Sequence, residues 1–114
     1  MAKAKIPGPI ERRHLVEKDL PAAQARAIAE VYLAEERRIE AIDFLKIAAA
    51  GERLAELREL AIAEGDAFLL RAVAGAQGQP PSREDWQKLE AAAIASGRER
   101  YSQAARRQLE RGDE

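Results

Sequence analysis

The chain contains no cysteine. That excludes disulfides, thiolate metal ligands and a cysteine nucleophile, and a cytoplasmic location fits the same absence. There is a single histidine, His14, so a histidine-rich metal site cannot be assembled. His14 follows Arg12 and Arg13, whose charges disfavour its protonation and repel a metal ion, so it reads as a surface or docking residue. Threonine is missing altogether. Valine occurs three times, tyrosine and phenylalanine twice each, and tryptophan once. Strands draw on those residue types, so a β-structure has little to build with. No apolar run approaches the roughly 18 residues of a membrane span. The opening Met-Ala-Lys-Ala-Lys-Ile-Pro-Gly-Pro lacks the apolar core of a signal peptide.

What is present points to helices. Alanine is the commonest residue, with 25 copies among 114, and Leu, Glu, Arg, Lys and Gln supply much of the rest. These are the strong helix formers. An apolar content of 46% can offset chain entropy, and 34% charged residues suit many short helices that each show a polar face to water. The expectation is an all-α fold of five or six short antiparallel helices, arranged as a compact bundle or a short solenoid-like stack of helical hairpins. One helical domain would span residues 9–111, after a flexible segment 1–8 and before a frayed 112–114.

The net charge of −1 conceals an asymmetry. Residues 1–26 carry six Lys/Arg against three Asp/Glu, whereas residues 27–97 carry eight against thirteen. Nucleic-acid binders concentrate basic surface, and the acidic middle would repel phosphate, which argues against nucleic acid as the partner.

Along the chain, Pro7, Gly8 and Pro9 rule out a helix before residue 9, and Pro9 can open one. A short helix from Ile10 to about Lys18 would put Ile10, His14 and either Val16 or Leu15 on one side and must dock, because two or three turns do not persist alone in water. Asp19-Leu20-Pro21 is a restart signal. Ala25, Ile28, Ala29 and Tyr32 then form one apolar stripe, and Ala41, Leu45 and Ala48 a second, with a break expected near Glu36. Gly51 is expected to stop the second of these helices. Leu54, Leu57 and Ala61 mark the next, Gly65 ends it, and Asp66 caps its successor. Residues 67–74 are apolar almost all round, which suits a central helix. Gly75, Gly78, Pro80 and Pro81 read as a connection. Ser82 with Asp85 resembles a capping box, and Trp86, Leu89 and Ala93 a further stripe ending at Ser96-Gly97. A last helix carries Tyr101, Ala104 and Ala105.

The segment from Ala25 to Ala48 resembles one helix pair of the tetratricopeptide family. Ile28, Ala29 and Tyr32 match its first helix, and Ala41, Leu45 and Ala48 its second. Two positions depart: Ala25 stands where the family has tryptophan, and Glu36 where a glycine opens the turn. No second copy follows one repeat length later. The resemblance implies a stack of helical hairpins that binds other proteins.

The chemistry-bearing residues favour no reaction. The carboxylate pairs Glu35-Glu36, Glu40/Asp43 and Glu84-Asp85 lie beside Arg37, Arg38, Lys46 and Lys88, as on solvated helix surfaces. Ser82, Ser96 and Ser102 lie in no nucleophile motif, and the glycines form no phosphate loop. The expected function is therefore a non-catalytic interaction or adaptor module, without cofactor, that binds another protein. Its candidate partner-binding residues are Ile6, Ile10, Arg12 and Arg13 near the N-terminus, and Arg26, Glu30, Arg37 and Arg38 on the hairpin. Alternatives are a nucleic-acid-associated or regulatory factor using the basic termini (Arg12, Arg13, Arg106, Arg107 and Arg111), or a homo-oligomeric structural subunit. A segment Ile6–Ile10 docking on its own domain and one docking on a partner are both open.

Overall fold

Alanine- and leucine-rich stretches, interrupted by single residues in the left-handed backbone region, give seven helices and no strand among the residues described by the computed structural model, which are 6–17 and 20–112. The helices are α1 (Pro9–Glu17), α2 (Ala22–Ala34), α3 (Arg38–Ile47), α4 (Gly51–Glu64), α5 (Ala67–Gln77), α6 (Arg83–Ala95) and α7 (Glu99–Gly112). No helix among the described residues is long and apolar enough to cross a membrane. The restart residue Asp19, the helix end at Lys18 and the tail residues 113–114 lie outside the described residues.

Five successive helices, α2 to α6, end by one device. The N–H of Arg37, Ala50, Asp66, Gln79 and Arg98 donates to the carbonyl five residues earlier, at 2.8–3.1 Å. The residue before each donor has positive φ: Glu36 (60°), Ala49 (52°), Gly65 (70°), Gly78 (67°) and Gly97 (71°). This closure satisfies carbonyls that a helix end would otherwise leave without partners. Two of the five stops are not glycine, and they flank α3. The seven helices exceed the expected five or six, although the break near Glu36 and a stop close to Gly51, which set off α3, were both expected. Gly51, expected as a stop, is instead the first residue of α4, because Ala49 has already turned the chain. Gly75, expected in a connection, lies within α5, which runs on to Gln77.

The chain divides into two compact units, residues 1–54 and 55–114, with the division inside α4. In the first unit, α2 and α3 pack across a three-residue turn. The core holds Ala25, Ile28, Ala29 and Tyr32 of α2 and Ala41, Ile42, Phe44 and Leu45 of α3. Small alanines let the backbones approach while the large side chains fill the space between them. The Tyr32 and Phe44 rings stack, centroids 5.7 Å apart and planes 19° from parallel.

In the second unit, α6 and α7 pack together and α5 also lies on α7. Leu69, Leu70 and Val73 of α5, Trp86, Leu89 and Ala93 of α6 and Ala105 of α7 are buried. The segment expected to be central is therefore largely interior, except that Phe68 stands 62% exposed and Arg71 is exposed too. Asp66 caps α5 by accepting from Leu69 N at 3.0 Å. Ser82 and Asp85 form a reciprocal box at the start of α6, Asp85 N to Ser82 Oγ at 3.1 Å and Ser82 N to Asp85 Oδ2 at 3.0 Å. Arg58 fastens the connection before it, donating to Gln77 Oε1 (2.9 Å), the Gln79 carbonyl (2.8 Å) and Asp85 Oδ2 (3.1 Å).

Gly65 does two things at once. It takes a positive φ, and a Cβ there would fall 2.4 Å from Ala93 N and 2.6 Å from Ala93 Cα. Gly97 has the same φ but open space around it. Gly97→Ala should therefore cost about 1–2 kcal/mol, the left-handed penalty alone. Gly65→Ala should cost about 2–5 kcal/mol, because backbone overlap with α6 adds to that penalty. Urea unfolding of the two variants checks the difference.

Asp85 generates a pH prediction. Burial works against its charged form, but the Ser82 N–H and hydroxyl and the Arg58 guanidinium outweigh burial and hold the carboxyl below its ordinary value. A lowered folded pKa means the stabilisation is present above the unfolded value, about 3.9, and is lost as pH falls through the folded value. Thermal melts should show Tm falling more steeply below about pH 4 in the wild type than in Asp85→Asn.

Candidate partner-binding surface

Nine residues of helix cannot hold themselves, so α1 persists by what fastens it to α3. The fastener is Arg12. Its Nη2 donates to the Glu40 carbonyl at 2.8 Å and to Asp43 Oδ2 at 3.1 Å. The same guanidinium lies over both stacked rings, its Cζ 5.4 Å from the Phe44 centroid and 5.8 Å from that of Tyr32. A planar, weakly hydrated cation can lie on an aromatic face and still present its edge to oxygen acceptors. Two polar atoms in this socket, Arg12 Nε and Tyr32 Oη, are buried without a hydrogen-bond partner among the described residues. Tyr32 is covered further by Arg37, whose Cζ stands 5.1 Å from the ring centroid.

Of the residues expected to share one side of α1, Ile10 is 75% exposed and His14 is exposed too, while Leu15 and Val16 are half-buried. The charged Arg12 turns inward, onto the Tyr32 ring of α2, the Phe44 ring of α3 and two oxygen acceptors of α3. Ile10, Arg13 and His14, spaced i, i+3, i+4, make one exposed stripe. Pro7 just before α1 is buried and Ile6 half-buried.

The other candidates lie on α2, α3 and the turn between them. Glu30 is held by Arg53 through a bidentate pair, both N···O distances 2.8 Å, and by Arg26 at 3.5 Å. The Arg53 hydrogen bonds keep its carboxyl below the ordinary glutamate value, against the opposing effect of burial. Arg37 grips Glu40 through two hydrogen bonds, one of them from Nε to Oε1 at 2.7 Å, which lowers the Glu40 pKa in the same way. Arg38 is half-buried. Arg12 and Arg37 thus meet at Tyr32 and Glu40, while Arg26 and Glu30 form a separate group with Arg53.

The socket of Tyr32, Phe44 and Asp43 was not legible as a functional feature from the sequence, where Glu40 and Asp43 read as a solvated face. The one available signal was the proximity of Phe44 to that acidic pair along a single helix. Among the described residues, no three His, Asp or Glu side chains gather as a metal site would need. Comparison with family models, curated proteins and solved structures gives no match.

If Arg12 fastens α1, Arg12→Ala should release it. The expected result is loss of hydrogen-exchange protection largest at the α1 amides, with a smaller loss at core amides that matches a global destabilisation of about 1–3 kcal/mol. Arg12→Lys should recover little, since an ammonium group cannot lie flat on the rings.

Proposed function

We propose that the chain is a non-catalytic protein-interaction module of the cytoplasm, built as a short stack of antiparallel helical hairpins similar to tetratricopeptide units. The observation that carries the reading is the way α1 is mounted. Its inner side is fixed by Arg12, and its outer side leaves Ile10 in water with Arg13 and His14 beside it. A short helix already fixed on a scaffold loses less conformational freedom on binding than a loose segment does, so its exposed side chains retain more of their contact energy. Arg26 and Arg37, anchored by their own carboxylates, would form a polar rim. Self-association is a second reading, favoured by Phe68 and Ile94, which are 62% and 58% exposed.

The test is affinity capture from a lysate of the native cells, with the full chain and its Ile10→Asp variant as baits. A stoichiometric partner retained by the wild type and lost by Ile10→Asp, at unchanged helical circular dichroism, is the expected outcome. Equal retention by both baits, or by neither, overturns the reading. A wild-type chain that sediments as a dimer would put self-association in its place.

A further inference from the structure

Arg71 is the only charged residue in α5, and it is exposed. Together with Arg107 and Arg111 of α7, four residues apart on one helix face, it lines a hollow of about 440 Å³. A second hollow of about 510 Å³ shares Arg71, Gln108 and Arg111 with the first and continues to Pro80, Pro81 and Trp86. The two make one cleft within the second unit, basic at one end and apolar at the other. Among the described residues, Glu110 is the one carboxylate residue lining it.

The three arginines differ from their neighbours. Arg58 is bound to Asp85, Arg106 to Glu90 at 3.1 Å, and Arg83 to the Leu109 carbonyl at 3.1 Å. Arg71, Arg107 and Arg111 have no ion pair or hydrogen bond among the described residues. Three guanidiniums brought together with one carboxylate repel one another, and an anion that bridges them relieves the repulsion.

We infer that this cleft binds an acidic peptide segment of a partner protein, with its carboxylates on Arg71, Arg107 and Arg111 and an apolar side chain against Pro80, Pro81 and Trp86. Arginine forks match carboxylates in pairs of parallel hydrogen bonds. A nucleic-acid strand fits the cleft less well. It would need a longer basic track and an open aromatic face for base stacking, and Trp86 is only 6% exposed. The cleft and the α1 stripe share no residue, so either reading can fail while the other stands.

The probe is a fluorescein-labelled Glu-Glu-Leu-Glu-Glu peptide, followed by anisotropy on the full chain, with its all-Gln counterpart and a ten-residue oligothymidylate as comparisons. Arg71→Glu and Arg107→Glu should each weaken peptide binding about tenfold or more. Gly75→Leu should weaken it comparably without changing any charge. A Cβ at Gly75 meets nothing within 4 Å, so the leucine would fill the cleft and not disturb the core. Arg100→Glu, an equal charge change on α7 outside the cleft, should alter binding by less than about twofold at 0.15 M salt. Equal weakening by Arg100→Glu, unimpaired binding by Gly75→Leu, tighter binding of the oligothymidylate, or no peptide binding at that salt would each overturn the inference. Helical circular dichroism of every variant separates loss of the cleft from loss of the fold.

Discussion

A helix leaves its last carbonyls without partners, and a chain of many short helices meets that cost at every end. Here the solution is repeated from α2 to α6: one residue turns left-handed, and the next N–H reaches back to close the turn. Each closure takes so few residues that consecutive helices leave one another at once. The packing of α2 on α3 and of α6 on α7 follows from where these stops fall. At Gly65 the stop also becomes a packing surface, since its bare Cα admits the α6 backbone at a distance no side chain would allow.

Within the first unit, one charged side chain performs a task usually left to an apolar one. Arg12 joins α1 to the hairpin by covering two aromatic rings with its flat face while its edge binds oxygen. The arrangement has a cost, because Arg12 Nε and the Tyr32 hydroxyl go without hydrogen bonds among the described residues. Charge-assisted hydrogen bonds and ring contacts oppose that cost, and they are specific to guanidinium. The result is a docked helix whose greasiest residue, Ile10, is left on the outside.

Much of this fold was legible in the sequence wherever a pattern is local. Ala25, Ile28, Ala29 and Tyr32 are buried as their spacing implies, as are Leu54, Leu57 and Ala61, and Trp86, Leu89 and Ala93. Ser82 with Asp85 caps α6, although aspartate is the shorter partner for that box. What escaped depends on residues far apart in the chain or on unexpected backbone. Nothing in Ile-Glu-Arg-Arg-His tells which arginine turns inward, because its rings come from α2 and α3. Arg71 reads as a lone cation in an apolar helix until α7 sets Arg107 and Arg111 beside it. Gly51 drew the stop signal that Ala49 supplies, since glycine is the usual left-handed residue and alanine is not.

The pair of non-glycine stops has a mechanical meaning for α3. Glu36 and Ala49 hold it at both ends, each in a conformation that costs an ordinary side chain about 1–2 kcal/mol. Neither end can creep by a residue unless another side chain moves through the same unfavourable region. The helix is thereby locked in phase, and with it the angular positions of Glu40, Asp43 and Phe44 around its axis. Slippage of α3 by a single residue would rotate them about 100° away from Arg12. The strain at these two turns therefore acts as an index mark that keeps the arginine socket assembled.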